Sequence, residues 1–194
     1  MSPEAGRVIA GSARGTRLAA GSAGVRSLGD RVKQTLFAIL EPELRGQAFL
    51  DLFAGTGAGG IEALSRGCRL AVFVERDPAA IRVIERNLAA THFGPPAAVV
   101  ARGDAIEWLR RSGTAAGPFR AILLDPPYEQ PDLVVAALEA VAAAGRGAIL
   151  APAGVVVSKH FWRNAPPAAI GLLASARERR FGETGLTFHR WEAE

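Results

Sequence analysis

The sequence predicts an α/β fold in which an open, mostly parallel β-sheet is covered by helices. Three observations carry that expectation. From residue 47 onward short apolar runs alternate with helix-like stretches, a glycine-rich turn follows the first strong run, and two strand-like runs close the chain around Gly182-Glu183-Thr184-Gly185. Parallel strands need long crossovers, and their strands read as continuous apolar runs because helices cover both faces of the sheet. The 194 residues, 20.3 kDa and 49% hydrophobic content fit one compact domain with a modest appendage.

Taken in order, residues 1–46 form the appendage and residues 47–194 the main domain. In the appendage, Arg7-Val8-Ile9-Ala10-Gly11 and Thr16-Arg17-Leu18 flank Ser12 to Gly15 as a small hairpin. Asp30 to Leu40 then has helical periodicity, with Val32, Leu36, Phe37, Ile39 and Leu40 apolar. This segment is too short to bury a core of its own. In the main domain the strand-like runs fall at 48–54, 70–75, 97–102, 119–125 and 154–160, and the helix-like stretches at 58–66, 77–91, 104–112 and 131–144. Asp77 and Asp104 occupy helix N-cap positions. The runs within 174–192 read as a terminal antiparallel pair that closes the sheet edge.

Composition excludes several classes. The longest stretch without a charged side chain, Asn87 to Ala101, contains Thr91, His92, Pro95 and Pro96, so no spanning helix is predicted. No apolar segment follows a basic start, and the cytoplasm is the expected compartment. One cysteine, Cys68, and three scattered histidines, His92, His160 and His189, supply no metal-ligand spacing, so no metal is expected. The net charge of +4 lies wholly in residues 1–33, where Arg7, Arg14, Arg17, Arg26, Arg31 and Lys33 face Glu4 and Asp30. Clustered cations of this kind gain by displacing counterions from phosphates, which points to a nucleic acid partner.

The first chemical motif is Asp51-Leu52-Phe53-Ala54-Gly55-Thr56-Gly57-Ala58-Gly59-Gly60, at a strand end and opening a helix. Glycines allow a sharp turn and close backbone approach, and the helix N-terminus offers free N–H groups. Phe53, Ala54, Gly55, Thr56, Gly57 and Gly60 are therefore candidate cofactor contacts. Glu75, followed by Arg76, ends the next strand twenty residues after Gly55, where a carboxylate can accept from ribose hydroxyls. Asp51 would repel a pyrophosphate but suits a ligand carrying an ammonium and a sulfonium, as S-adenosylmethionine does. Gly103-Asp104-Ala105 follows the third run, where Asp104 can accept from an adenine amine or simply cap a helix.

Asp125-Pro126-Pro127-Tyr128 follows the run Phe119 to Leu124. Two prolines stiffen a loop at a carboxyl strand end, where open α/β sheets bind ligands. An exocyclic base amine has its lone pair conjugated into the ring, so a catalyst must hold both protons, through the Asp125 carboxylate and the Pro126 carbonyl. Tyr128 offers a stacking face for a flipped-out base. One carboxylate can accept from both the ring N–H and the amine of guanine, whereas adenine places a ring acceptor beside its amine, so guanine is favoured.

These residues, with the closing run Phe181 to Arg190 and the N-terminal Arg7 to Leu18 and Asp30-Arg31-Val32-Lys33, resemble the bacterial 16S ribosomal RNA guanine-N2 methyltransferase family over nearly the whole chain. The resemblance implies a Rossmann-like class I methyltransferase fold of seven strands, the last reversed. It also implies S-adenosylmethionine as donor and a guanine of 16S ribosomal RNA in a small-subunit ribosomal particle as acceptor. No membrane or metal partner is implied, and a monomer is expected. Two departures stand out: Arg26-Ser27-Leu28-Gly29 replaces the family's Arg-Pro-Thr, and Lys159-His160 replaces a Glu-His pair at a strand end. A strand-end histidine such as His160 reads first as structural.

A DNA amino-methyltransferase would share the proline loop but needs a target-recognition insertion that this chain lacks. A nicotinamide oxidoreductase fits the glycine spacing but leaves the proline loop and the basic hairpin unexplained. A non-catalytic RNA-binding protein predicts degraded cofactor motifs, whereas these are intact. No Gly-Lys dipeptide and no Gly-x-Ser-x-Gly elbow occur.

Overall fold

The computed structural model describes residues 4–21 and 29–192, which divide into two compact units, residues up to Gly103 and residues from Asp104. In the first, strands β1 (Glu4–Arg7) and β2 (Arg17–Ala19) precede α1 (Asp30–Leu44). Then come β3 (Ala48–Leu52), α2 (Ala58–Ser65), β4 (Leu70–Glu75), α3 (Pro78–Ala90) and β5 (Ala98–Arg102). Strand β4 lies between β3 and β5 and pairs with both in parallel. All five residues of β3 are buried, as expected of a strand covered on both faces. Helix α3 begins as its sequence dictates: the Asp77 side chain accepts from Ala79 N at 2.9 Å and Pro78 occupies the first turn, where its missing N–H costs nothing.

The hairpin and α1 fall in the same unit as the glycine turn. The hairpin shares a core with the glycine-turn region, because Val8, Ala13 and Leu18 pack in one cluster with Ala54, Ala58, Ile61, Phe73 and Ile84. Helix α2 also clamps the hairpin through polar groups. The Glu62 carboxylate accepts from Ile9 N at 2.8 Å and Ala10 N at 3.1 Å, while Ser65 Oγ donates to Ala10 O at 2.5 Å and accepts from Ala13 N at 3.0 Å. A buried carboxylate carrying two backbone N–H groups and the Arg66 guanidinium, at 2.8 Å, is fully compensated. Helix α1 runs through Pro42 and buries Leu36, Phe37, Leu40 and Leu44, whereas Val32 and Ile39 stay half-buried.

The second unit comprises α4 (Ala105–Ala116), β6 (Phe119–Leu124), α5 (Asp132–Ala144), β7 (Leu150–Phe161), β8 (Ala169–Ile170), β9 (Leu173–Phe181) and β10 (Thr184–Trp191). Strand β6 pairs with β7 in parallel, and β10 runs antiparallel to both β7 and β9. The reversed final strand is thus present, but it lies between β7 and β9 and does not close an edge, which falls to β9 and the short β8. Besides the β1–β2 pair, the described residues hold three sheet strands in the first unit and five in the second, eight where seven were expected; the two-residue β8 carries too little pattern to be read from sequence. No helix among the described residues is long and apolar enough to cross a membrane.

Candidate active site

In the first unit the residues singled out around the glycine turn gather at the ends of β3 and β4. The turn is conformationally committed: Phe53 has φ 62°, Gly55 φ 56° and Gly57 φ 76°. A bulky residue such as Phe53 in the left-handed region persists only where its surroundings over-determine it, and such strain clusters at ligand clamps. Gly57 precedes α2 as its N-cap, and Ala54 N donates to Val74 O at 3.0 Å, fastening the turn to β4.

Both acids expected to meet a cofactor brace this turn. Glu75 Oε2 accepts from Gly55 N at 2.8 Å, and Glu75 Oε1 accepts from Arg76 N at 2.8 Å and Asp77 N at 2.9 Å. A carboxylate offers about four acceptor sites, so one remains on Glu75, which is half-buried. Asp51 is buried, and its Oδ2 accepts from Gly60 N at 2.7 Å, placing a negative charge at the N-terminus of α2. The reason for Gly60 is packing: a Cβ there would lie 2.3 Å from Cε1 of the Phe73 ring. Thr56 is buried, and its carbonyl accepts from Asn87 Nδ2 at 2.9 Å. Nothing in the sequence marks Asn87 as a site residue. An Asn in mid-helix looks like a weak helix former, and its partners are far away in sequence.

This donor set fits a cationic nucleoside ligand. Residues 51–57 carry one acid and no base, Glu75 adds a second acid at the neighbouring strand end, and no cation stands in the turn to meet a pyrophosphate.

The basic side chains of this unit divide into two groups. Arg7, Arg14, Arg17 and Arg31 are exposed. Arg26 lies outside the described residues. Lys33 is fully buried: its Nζ donates to Arg7 O at 2.6 Å and lies 3.7 Å from Asp30, so it ties α1 to the hairpin instead of presenting charge at the surface. Burial pushes its pKa down, opposed by Glu62 and Asp30.

In the second unit Asp104 caps α4, its Oδ1 accepting from Ile106 N and Glu107 N, both at 3.0 Å, with Ala105 buried behind it. The helix-cap role is therefore present, and it leaves the other carboxylate oxygen for a ligand.

The Asp125-Pro126-Pro127-Tyr128 loop leaves the end of β6 beside β7. The Asp125 carboxylate, 15% exposed, accepts from Lys159 Nζ at 2.5 Å. Burial pushes the Asp125 carboxyl above the usual carboxylate range, and the Lys159 ammonium works against that rise. Pro126 is buried and Pro127 exposed. Tyr128 shares a hydrogen bond with Thr184 Oγ1 at 2.8 Å, and Lys159 Nζ lies 4.9 Å from its ring centroid. Pro126, Pro127, Tyr128 and Lys159 line a recess completed by Pro131, Val134, His160, Phe161 and Asn164.

Both ring nitrogens of His160 have partners within the fold. Its Nδ1 bonds to Phe161 O at 2.9 Å, and its Nε2 meets Thr187 Oγ1 at 2.9 Å. A carbonyl only accepts, so Nδ1 donates to it. The ring lies against Gly185, where a Cβ would come within 2.3 Å of it. Lys159 stands out in the sequence as a departure, but sequence alone does not connect it with Asp125, 34 residues earlier.

A strained glycine turn braced by acids in one unit, and a proline-stiffened carboxylate loop at a strand end in the other, define a protein of the methyltransferase class. Comparison with known proteins agrees. The family described as conserved hypothetical protein 95 matches residues 6–190, and the chain belongs to it. It is 36% identical over 185 residues to the Bacillus subtilis (strain 168) protein named "Putative rRNA methyltransferase YlbH", covering 95% of this chain and 98% of that one. It is 38% identical over 125 residues to "Ribosomal RNA small subunit methyltransferase D" of Escherichia coli (strain K12), a match spanning 64% of this chain and 61% of that protein. Among solved structures, "Putative methyltransferase yhhF from Escherichia coli" superposes with a TM-score of 0.84 at 30% identity, covering 99% of this chain and 100% of that one. The family resemblance drawn from the motifs is thereby borne out, as is the α/β methyltransferase fold.

Proposed function

We propose that this protein transfers a methyl group from S-adenosylmethionine to the exocyclic N2 amine of a guanine in 16S ribosomal RNA, presented in a small-subunit ribosomal particle. The donor supplies an electrophilic methyl group on a sulfonium. On this reading the turn from Phe53 to Gly57, with Gly60, Asp51 and the remaining acceptor site of Glu75, holds the donor, Arg76 flanks its ribose, and Asp104 with Ala105 receives its adenine. Asp125 and the Pro126 carbonyl hold the two amine protons so that the nitrogen points at the methyl group, and Pro127 keeps that loop stiff. Tyr128 stacks on the base. The amine becomes acidic only once methylated and cationic, so positioning comes first and proton loss follows.

The observation that carries this reading is the Asp125 carboxylate at the end of β6, held by Lys159, which itself lines a proline-walled recess. The names of the relatives support ribosomal RNA as acceptor. The exposed Arg7, Arg14, Arg17 and Arg31, together with Arg26, supply the phosphate contacts, and the protein works as a monomer in the cytoplasm. The test is incubation with labelled S-adenosylmethionine and unmodified small-subunit particles, naked ribosomal RNA or DNA, followed by nucleoside analysis. Label in N2-methylguanosine is expected, and label in methyladenine or in DNA would overturn the assignment.

A further inference from the structure

The assignment of guanine leaves one buried group without a chemical role. Lys159 stands at the end of β7 with a side chain 9% exposed, and it lines the recess with Pro126, Pro127 and Tyr128. Burying an ammonium is costly unless it is paired, and Asp125 provides the pairing. An ammonium has three N–H donors, however, and the carboxylate oxygen at 2.5 Å takes one of them. The ring of Tyr128, 4.9 Å away, holds the cation by its face without a lone pair to receive a further N–H in full. Donor capacity therefore remains beside the Asp125 carboxylate, in the wall of the recess.

The order of these groups matches a known hydrogen-bonding pattern. Two carboxylate oxygens followed by an ammonium present acceptor, acceptor, donor, which is the order along the pairing edge of cytosine. Its complement is donor, donor, acceptor, and guanine offers that series as its N2 amine, its N1–H and its O6.

We propose that Lys159 is a specificity-determining residue that donates to O6 of the target guanine while Asp125 accepts from N1–H and N2–H. The inference rests on the guanine reading above and deepens it. An adenine would fill at most two of the three positions, and leaving a buried charged group unpaired is what gives a polar site its discrimination. Lys159 also holds Asp125 Oδ1, which orients the carboxylate so that Oδ2 faces the amine that reacts.

The experiment is an atom-by-residue cycle. Small-subunit particles are reconstituted on transcripts carrying guanosine or 6-thioguanosine, because sulfur at that position accepts hydrogen bonds weakly while N1–H and N2 are retained. The kcat/KM for methylation is measured for wild type, Lys159→Met and Lys159→Arg, with folding and donor affinity as controls. Wild type should lose about tenfold or more on the thio substrate. Lys159→Met should be slow on both substrates with a ratio near one, and Lys159→Arg should restore part of the discrimination. Lys159→Gln, which keeps an N–H donor without the charge, serves if the Met variant does not fold, and should discriminate less than wild type. A Lys159→Met or Lys159→Gln protein that discriminates as strongly as wild type would overturn the role of Lys159 while leaving the guanine reading intact. Wild type that makes no N2-methylguanosine on the unsubstituted RNA would remove the guanine reading, and this inference with it.

Discussion

Asn87 donates from its side-chain amide to the carbonyl of Thr56 at 2.9 Å, while the same side chain pairs with both backbone groups of Ala19. A single buried amide on α3 thus joins the glycine turn to β2 of the basic hairpin. Its geometry uses all that an Asn offers, an acceptor oxygen and two donor hydrogens.

Replacing Asn87 with Ala strands three buried or half-buried backbone groups at once. Each group left without its partner costs about 1–3 kcal/mol. Asn87→Ala should lower the unfolding midpoint and weaken S-adenosylmethionine binding several-fold, as read by calorimetry. Full retention of donor affinity would separate Asn87 from the turn.

The packing role of Gly60 sets up a different test. In Gly60→Ala the added Cβ meets the Phe73 ring at 2.3 Å, and an overpacked core costs typically about 1–3 kcal/mol. Chemical denaturation should show that loss in the protein without ligand. A Phe73→Leu change in the same background should recover part of it, because the obstacle is the ring.

The exposed and buried cations should separate in a salt titration. Arg7→Gln, Arg14→Gln and Arg17→Gln together should weaken RNA binding and lower the slope of log affinity against log salt by about 0.7 to 0.9 for each phosphate no longer neutralised. Lys33→Met should leave that slope unchanged, since its ammonium lies within the fold on the Arg7 carbonyl. An unchanged slope in the triple variant would remove the hairpin from the docking surface.

A buried histidine predicts acid sensitivity. His189 bonds to Pro167 O through Nε2 at 3.0 Å, its Nδ1 has no partner, and burial pushes its pKa below the ordinary value near 6.5. The unfolded chain therefore binds this proton more readily than the folded one, so stability is complete above about pH 6.5 and declines as the pH falls below it. Thermal midpoints measured at pH 7.5 and pH 5.5 should differ less in His189→Gln, which keeps the donor to Pro167 without the titration. An equal difference in both proteins would place the acid sensitivity elsewhere.

The glycine turn, the proline loop and the succession of strands and helices are legible because each is written in contiguous residues. What escapes is nonlocal. Lys33 has the composition of a surface cation, yet the backbone carbonyl of Arg7 and the carboxylates of Asp30 and Glu62 draw it inside. Glu62, Ser65 and Asn87 read as unremarkable helix residues, and only their pairing with a hairpin more than fifty positions away gives them a purpose. The placement of β10 between β7 and β9 depends on a pairing choice that alternation cannot encode.

The division of labour between donor and acceptor groups is tested most directly at Asp125. Asp125→Ala and Asp125→Asn should lower the single-turnover methylation rate by about a hundredfold or more, since they remove the carboxylate that holds the amine. Donor affinity in a parallel titration should stay within about twofold of wild type, with Asp125→Asn guarding against the unpaired Lys159 of the Ala variant. Equal loss of donor binding and transfer in the folded Asn variant, or transfer at the wild-type rate, would contradict the account.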